Sequence, residues 1–257
     1  YKLPDIYGAT TQILLKDQEV YDYQSQVYKS LGYAQSYSDI VNQERVITSY
    51  DLVDATLSKL DFDISYFIVG RFKTSQVYAT LPFTVHMDVL DPKLYERPFD
   101  LQIIDVDTYE LSYEDNGKLT NRVFRFDEDA RDPENKFILR VVRSPYFNEG
   151  TLSRLTATDY QFIRHERSNL VKRYKGRILV TNQDFTTILE VNVEDEVGVR
   201  AKMFLDTLSK EYIRATLQSE FDINKNTLEY IDKQLAEVSV ILEQHEDELQ
   251  AYKENKD

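Results

Sequence analysis

Three histidines, His86, His165 and His245, are the imidazoles of this chain, so metal or acid–base chemistry would start from them. His165-Glu166-Arg167-Ser168-Asn169 has the first half of a His-Glu-x-x-His zinc helix, which needs two imidazoles one turn apart on one face. Asn169 stands where the second imidazole belongs, and the motif fails. The run Asp105-Val106-Asp107-Thr108-Tyr109-Glu110 begins like a calcium loop. It lacks an oxygen ligand at its fifth position and the turn glycine at its sixth. A phosphate-binding loop needs Gly-x-x-x-x-Gly-Lys-Ser/Thr, so that backbone amides can surround the phosphate. The seven glycines (8, 32, 70, 117, 150, 176 and 198) are dispersed and none builds it. Paired carboxylates could hydrolyse a glycosidic bond if held at the right separation. With 45 Asp and Glu residues such pairs are everywhere in the sequence, and a solvated surface is their first reading. The chain is expected to hold no metal, to use no cofactor and to carry no catalytic residues.

Charge narrows the partners. The net charge is −14 and the pI about 4.8. That argues against nucleic acid, whose phosphates need clustered Lys and Arg, and against unaided binding to an anionic membrane face. Cysteine is absent, so there is neither a disulfide framework nor a thiolate metal site. No apolar run reaches the roughly 18 residues of a membrane span, and no signal peptide is visible. Tyrosine is abundant, with 19 copies scattered along the chain. Tyr95, Tyr109 and Tyr113 could stack on sugar rings, while their strand-like alternation favours core packing.

The periodicity places these residues on elements. A strand is predicted from Ile6 to Lys16, then a polar stretch from Tyr21 to Ser38. Ile40, Ile47, Leu52, Val53, Leu57 and Leu60 follow at helical spacing, with Ser49 placed to N-cap a second short helix. From about Ile64 to Arg143 the period falls to two, which predicts an antiparallel β unit. Within it, Asp115-Asn116-Gly117-Lys118 suits a two-residue hairpin turn with positive φ at both central residues. A strand over 160–165, a short helix closed by Gly176 at C′, and strands in Arg177–Asn182 and Thr186–Asp195 come next. Asp195 is expected to N-cap a helix that continues to the end, because residues 199–257 hold neither Pro nor Gly. At 1.5 Å per residue that helix spans about 90 Å, against a body of about 35–40 Å. Its first half is expected to dock through Phe204, Leu205, Leu208, Tyr212 and Leu217, and its second half to project.

The second half carries a stripe: Leu228, Ile231, Leu235, Val238, Leu242, Leu249 and Tyr252, with His245 filling the missing step. Steps of three and four make a heptad seam, and a seam needs a partner helix. The partner would be a returning helix of the same parent chain, with the present sequence cut in mid-hairpin, or a neighbouring subunit. A start at Tyr1 rather than Met fits a fragment or processed product.

Three blocks carry a family resemblance. The segment around Ile47, Ser49, Leu52, Leu57, Leu60 and Phe62 resembles the membrane-proximal motif of polysaccharide co-polymerases, the Wzz and Wzc-like proteins. Ile188, Val191, Ala201, Leu208, Tyr212 and Ile213 match the family's strand, acidic turn and helix. Tyr230, Ile231, Gln234, Leu235, Leu242, Glu246, Leu249, Tyr252, Lys253 and Asn255 match its terminal run. Val197-Gly198 replaces the usual Pro after the acidic turn, and Asp206 stands where Asn is common. The β-rich stretch from about 75 to 165 resembles the insertion of the larger exopolysaccharide-transport members.

The resemblance implies an α+β fold: a discontinuous membrane-proximal α/β base (1–74 and 160–197), a β-rich insertion (75–159) and a long helix (198–257). It implies a periplasmic domain of the bacterial inner membrane, in a parent chain anchored by flanking helices. Partners would be copies of itself in a ring, a polysaccharide polymerase and an outer-membrane translocon; glycan contact through Tyr95, Tyr109 and Tyr113 rests on their side-chain type and not on the resemblance. Its role would be non-catalytic control of polymerisation, chain length or export, any tyrosine autokinase lying outside this chain. Two other classes fit parts of the pattern. A membrane-fusion-type adaptor also has a helical hairpin, but its Gly/Val-rich lipoyl-like half-motifs are missing here. A carbohydrate-binding module would use the β insertion.

Overall fold

The computed structural model describes residues 5–15, 32–115, 117–145, 147–182 and 186–254, with backbone alone at 32–39, 149, 244 and 246–254. The fold is α+β. The strands are β1 (Tyr7–Leu14), β2 (Ile64–Val69), β3 (Thr74–Val77), β4 (Phe83–Val89), β5 (Pro98–Ile103), β6 (Thr108–Asp115), β7 (Lys118–Arg125), β8 (Ala130–Arg131), β9 (Phe137–Arg143), β10 (Asp159–Arg164), β11 (Ile178–Asn182) and β12 (Ile188–Asp195). The helices are α1 (Gly32–Ile47), α2 (Tyr50–Leu57), α3 (Leu152–Thr156), α4 (Arg167–Arg177) and α5 (Gly198–Glu254). The chain divides into two compact units, Tyr1–Ser209 and Lys210–Asp257.

Among its described residues the first unit has three antiparallel sheets, ordered β1-β12-β11, β3-β2-β10-β5-β6-β7 and β4-β9-β8. The six-stranded sheet and the β4-β9-β8 sheet share one core. Phe83, Val85 and Met87 of β4 and Phe137, Leu139 and Val141 of β9 meet Phe99, Leu101 and Ile103 of β5, Tyr109, Leu111 and Tyr113 of β6, and Phe162 of β10. Alternation with period two puts these residues on one face of each strand. Phe99 is central: its ring stacks on Phe162 at 5.2 Å and meets Phe137 edge-on at 5.9 Å. Tyr109 and Tyr113 lie in this core, 0% and 4% exposed, so neither can reach a sugar from solvent. Tyr95 is half-buried.

The strand pairing also redraws the expected partition. The six-stranded sheet runs β2 and β10, assigned to the base, directly into β5, β6 and β7, assigned to the insertion. Ladder pairs such as Tyr160↔Leu101 and Phe162↔Phe99 cross the boundary at 159/160. Strands β2 and β10 of the base and the strands of the insertion therefore belong to one sandwich.

The remaining sheet pairs β1 with β12 in the register Tyr7↔Asp195 to Leu14↔Ile188. Leu189, Val191 and Val193 of β12 are fully buried, as are Leu170, Val171 and Tyr174 of α4 and Ala201 and Phe204 of α5, with Leu205 and Leu208 nearly so. The expected strand end at Lys16 falls outside the described residues. So does most of the polar stretch from Tyr21, whose last residues enter α1.

Local signals explain several boundaries. Ser49 Oγ accepts from the Leu52 N–H at 3.2 Å and starts α2. Asp115 pairs with Lys118 across the predicted two-residue hairpin, and Gly117 takes φ +81; Asn116 lies outside the described residues. Gly176, expected at C′, sits inside α4 without a positive φ, and the chain passes from Arg177 straight into β11. Asp195 is not the N-cap of the long helix, which begins at Gly198. Its Oδ1 accepts from the Val197 N–H at 2.9 Å, while its other oxygen serves a buried network.

Replacing Ser49 with Ala removes a side-chain cap at a junction of two short helices. A loss of about 1 kcal/mol is expected, measured by denaturant unfolding; Ser49→Asp, which keeps an acceptor, is expected to retain most of it.

Candidate functional site

Two features stand out: a buried polar network in the first unit and an exposed seam in the second.

The network begins at Arg200, in the first turn of α5 and 2% exposed. Its Nη1 donates to Ser65 Oγ of β2 and its Nη2 to Tyr174 Oη of α4, both at 3.0 Å. The guanidinium carbon lies 4.6 Å from the centre of the Phe62 ring, a cation–π contact in a desolvated place. Tyr174 donates to Asp195 Oδ2 at 2.7 Å, and Arg177 reaches the same oxygen at 3.1 Å. Asp195 is itself buried, so the cations are balanced by a carboxylate held in place by its own hydrogen bonds. Burial raises the Tyr174 phenol far above its ordinary range, with the Asp195 carboxylate adding to this, so it remains a donor.

Ser65 links this cluster to a second one. His165 Nε2 is 2.8 Å from Ser65 Oγ, and His165 Nδ1 is 2.7 Å from Glu96 Oε2. A carboxylate can only accept, so Nδ1 carries the proton and neutral His165 accepts from the serine through Nε2. Arg173 donates to Glu96 Oε2 at 3.0 Å. Glu96 adopts φ +60, which is unusual for a residue other than Gly, and its N–H bonds the Arg164 carbonyl at 2.9 Å. That backbone places the carboxylate against His165. Burial lowers the His165 pKa, and the Arg173 and Arg200 charges add to this against the pull of Glu96. Burial alone would raise Glu96, but His165 and Arg173 together hold it below the usual carboxylate range.

Ser65, His165 and Glu96 thus have the order of contacts by which a carboxylate orients an imidazole to take a serine proton. The setting differs from a nucleophile's. Ser65 is 2% exposed on an interior strand, and its oxygen also meets Arg200 and, at 3.0 Å, the amide of Gln76. A shallow cleft of about 300 Å³ beside Val69, Leu101 and Tyr160 contains none of the three. As built, the group ties β2, β10, α4 and α5 together. Among the described residues no group of three or more His, Cys, Asp or Glu side chains is arranged to hold a metal ion.

Sequence reasoning reached only part of this. His165 drew notice as half of a zinc motif, whereas Ser65, Glu96 and Arg200 did not. They lie far apart in sequence, and no local pattern links them. Of the family-motif residues, Ile47, Leu57 and Phe62 are fully buried, Leu52 and Tyr212 nearly so, and Leu60 half-buried. Among them Phe62 touches the network, stacking on Tyr174 at 5.7 Å.

The seam lies on α5. Leu228 (63% exposed), Ile231 (46%), Leu235 (60%), Val238 (59%) and Leu242 (58%) are open to solvent. The side chains of Leu249 and Tyr252 are outside the described set. The stripe extends further back than the sequence reading took it: Leu217 and Phe221 are exposed at matching steps, and Ile213 is exposed one turn before them. Leu217, expected to dock, therefore belongs to the seam. Every residue from Leu217 to Glu243 is exposed. Asn224 and His245 occupy the same heptad position three heptads apart, so the stripe includes two polar side chains.

Comparisons with known proteins add little. No family model and no curated protein matches the chain. Two crystal forms of Xanthomonas campestris FlgL are similar at 12% identity, with TM-scores of 0.21 and 0.26. These alignments take in 58% and 71% of this chain and 41% and 55% of the FlgL chains, so this chain spans about half of that length. At such scores they support no argument about fold or function. No helix among the described residues is long and apolar enough to cross a membrane.

Replacing Arg200 with Met would leave Asp195 buried without its full complement of cations. A loss of about 3–5 kcal/mol is expected, read from the unfolding midpoint. The pH dependence follows from His165. Its folded pKa is lowered, so the unfolded chain takes up the proton first as pH falls through about 6.5. Stability is expected to be full above that range and to decline below it, until the folded imidazole also titrates. His165→Gln should remove that part of the slope, and an unchanged slope in urea titrations across the range would refute the assignment.

Proposed function

We propose that this chain is the extracytoplasmic assembly domain of a polysaccharide co-polymerase of the Wzc-like class, acting without catalysis. The observation that carries the reading is the uncovered seam: a continuous helix with a heptad stripe and every residue from Leu217 to Glu243 exposed. Burying a Leu or Ile side chain is worth about 1.5–3 kcal/mol, so a stripe of five or more is a substantial drive to meet another helix. The order of the three motif blocks supports the class. So does the burial of Ile47, Leu57 and Phe62, with Phe62 against the root of α5.

In this reading the base stands at the periplasmic face of the inner membrane, in a parent chain anchored by flanking helices, and contacts its own copies around a ring. The seam takes a partner helix, and the resulting frame borders the growing or exported glycan. Oligomer geometry, together with contacts to a polymerase and an outer-membrane translocon, then governs chain length or export. The burial of Tyr109 and Tyr113 removes the main support for a carbohydrate-binding module.

The test uses the full-length parent protein. Leu235→Asp with Leu242→Asp puts two carboxylates into the seam, where each would have to be desolvated. Loss of assembly, seen by native sizing in detergent, and an altered length distribution of the surface polysaccharide are expected. Intact assembly with an unaltered polymer would defeat the proposal.

A further inference from the structure

Phe72 is 94% exposed, the most open large hydrophobic side chain among the described residues. It sits at the tip of the β2–β3 hairpin, whose last ladder pair is Val69↔Thr74. The tip is built rather than slack. Gly70 N–H bonds the Lys73 carbonyl at 3.1 Å, and a Cβ at position 70 would lie 2.8 Å from that same oxygen. Only Gly fits so close an approach. The turn carries Arg71, Phe72 and Lys73 as cation, ring, cation, with the Arg71 guanidinium 5.7 Å from the ring centre.

The apolar character continues beside the tip. Lys73 Nζ pairs with Asp5 Oδ2 at 2.9 Å, in the lead-in to β1. The next two residues, Ile6 and Tyr7, are 64% and 50% exposed. Tyr7 in turn lies against Gly198 at the root of α5, where Val199 is also exposed.

We propose that this end of the first unit is a bilayer contact, with Phe72 as a wedge at the level of anionic phospholipid headgroups. The cleft beside Val69 and Asp159 is not lined by Phe72. A ring flanked by two cations suits the interface, where the ring enters the acyl boundary and a cation meets phosphate. The contrast with the whole chain points the same way. On a chain of net charge −14, the tip sets Arg71 and Lys73 on either side of the ring, and Arg71 carries the contact with phosphate because Lys73 is paired with Asp5. Two carboxylates sit close by: Asp5, already engaged by Lys73, and Asp159, paired across from Val69. The global charge opposes free binding to an anionic membrane, so the wedge orients a domain that is already tethered. The inference rests on the membrane-proximal placement proposed above and specifies which surface faces the lipid.

The chain contains no Trp, so Phe72→Trp introduces a single reporter. The variant would be held by an N-terminal hexahistidine tag on vesicles of phosphatidylcholine, phosphatidylglycerol and a nickel-chelating lipid. Emission from the indole at position 72 is expected to shift to the blue and to be quenched by brominated acyl chains. Leu119→Trp, exposed on β7 at the opposite edge of the sheet from β3, should keep the emission of a water-exposed indole. Arg71→Gln, or omission of phosphatidylglycerol, should reduce the shift at position 72. Water-like emission from position 72 on the vesicles, or an equal shift at position 119, would overturn the proposal. A blue shift without vesicles that grows with protein concentration would do so too, by assigning the tip to a second copy. None of these outcomes depends on the seam, so failure here leaves the assembly reading to its own test.

Discussion

A single buried guanidinium organises the root of the long helix. Arg200 cannot shed its proton, so the fold must surround it with acceptors or lose the energy of a desolvated charge. Ser65 and Tyr174 accept from its two Nη atoms, Asp195 balances its charge from 3.9 Å, and the Phe62 ring covers one face, while Nε is left without a hydrogen bond. Ser65, Tyr174 and Asp195 each come from a different element. β2, α4 and the end of β12 are thereby fixed to the first turn of α5, and through Ser65 the constraint passes to His165, Glu96 and Arg173. A network of this kind adds little net stability compared with a hydrophobic replacement. Its effect is geometric: alternative seatings of the helix root would strand charges.

The aromatic sandwich has a different logic. Phe99, Phe137, Phe162 and Tyr113 interlock through stacked, tilted and edge-on contacts, and the polar end of Tyr113 is carried by buried Asp132 at 2.7 Å. A tyrosine in such a place needs a hydrogen-bond partner. Tyr66 follows the same rule, accepting from the Val85 N–H at 2.9 Å between the two sheets, and burial pushes its pKa up to about 12. These tyrosines serve packing with a polar handle, rather than a sugar platform.

Much of the fold was legible because its signals are local. Alternation over β4, β5, β6, β9 and β12, the Ser49 cap, the Gly117 turn and the absence of Pro and Gly in the long helix all act within a few residues. The partition into base and insertion was not legible, since it depends on which strands pair across a hundred residues, and β10 joining β2 to β5 leaves no trace in either strand. Gly176 misled for a related reason: direct passage of α4 into β11 removes the need for a left-handed cap. The seam was half legible. Its heptads were plain from Leu228 onward, but whether Leu217 is covered or open is a tertiary fact. The Ser65–His165–Glu96–Arg200 cluster was illegible, as its members are brought together only by the sheet and by a positive φ at Glu96.

A helix fixed at its root by buried charge thus carries a stripe left open along its length, and the open stripe is the proposed working surface. The most direct measurement is the mobility of nitroxide labels on single cysteines, in a protein that has no native cysteine. One label would replace Leu235 in the seam and another Lys233, an exposed residue two positions earlier and so on the opposite side of the helix. In the assembled full-length protein an immobilised label at 235 and a mobile one at 233 are predicted. Equal, free motion at both positions would contradict a seam that meets another helix.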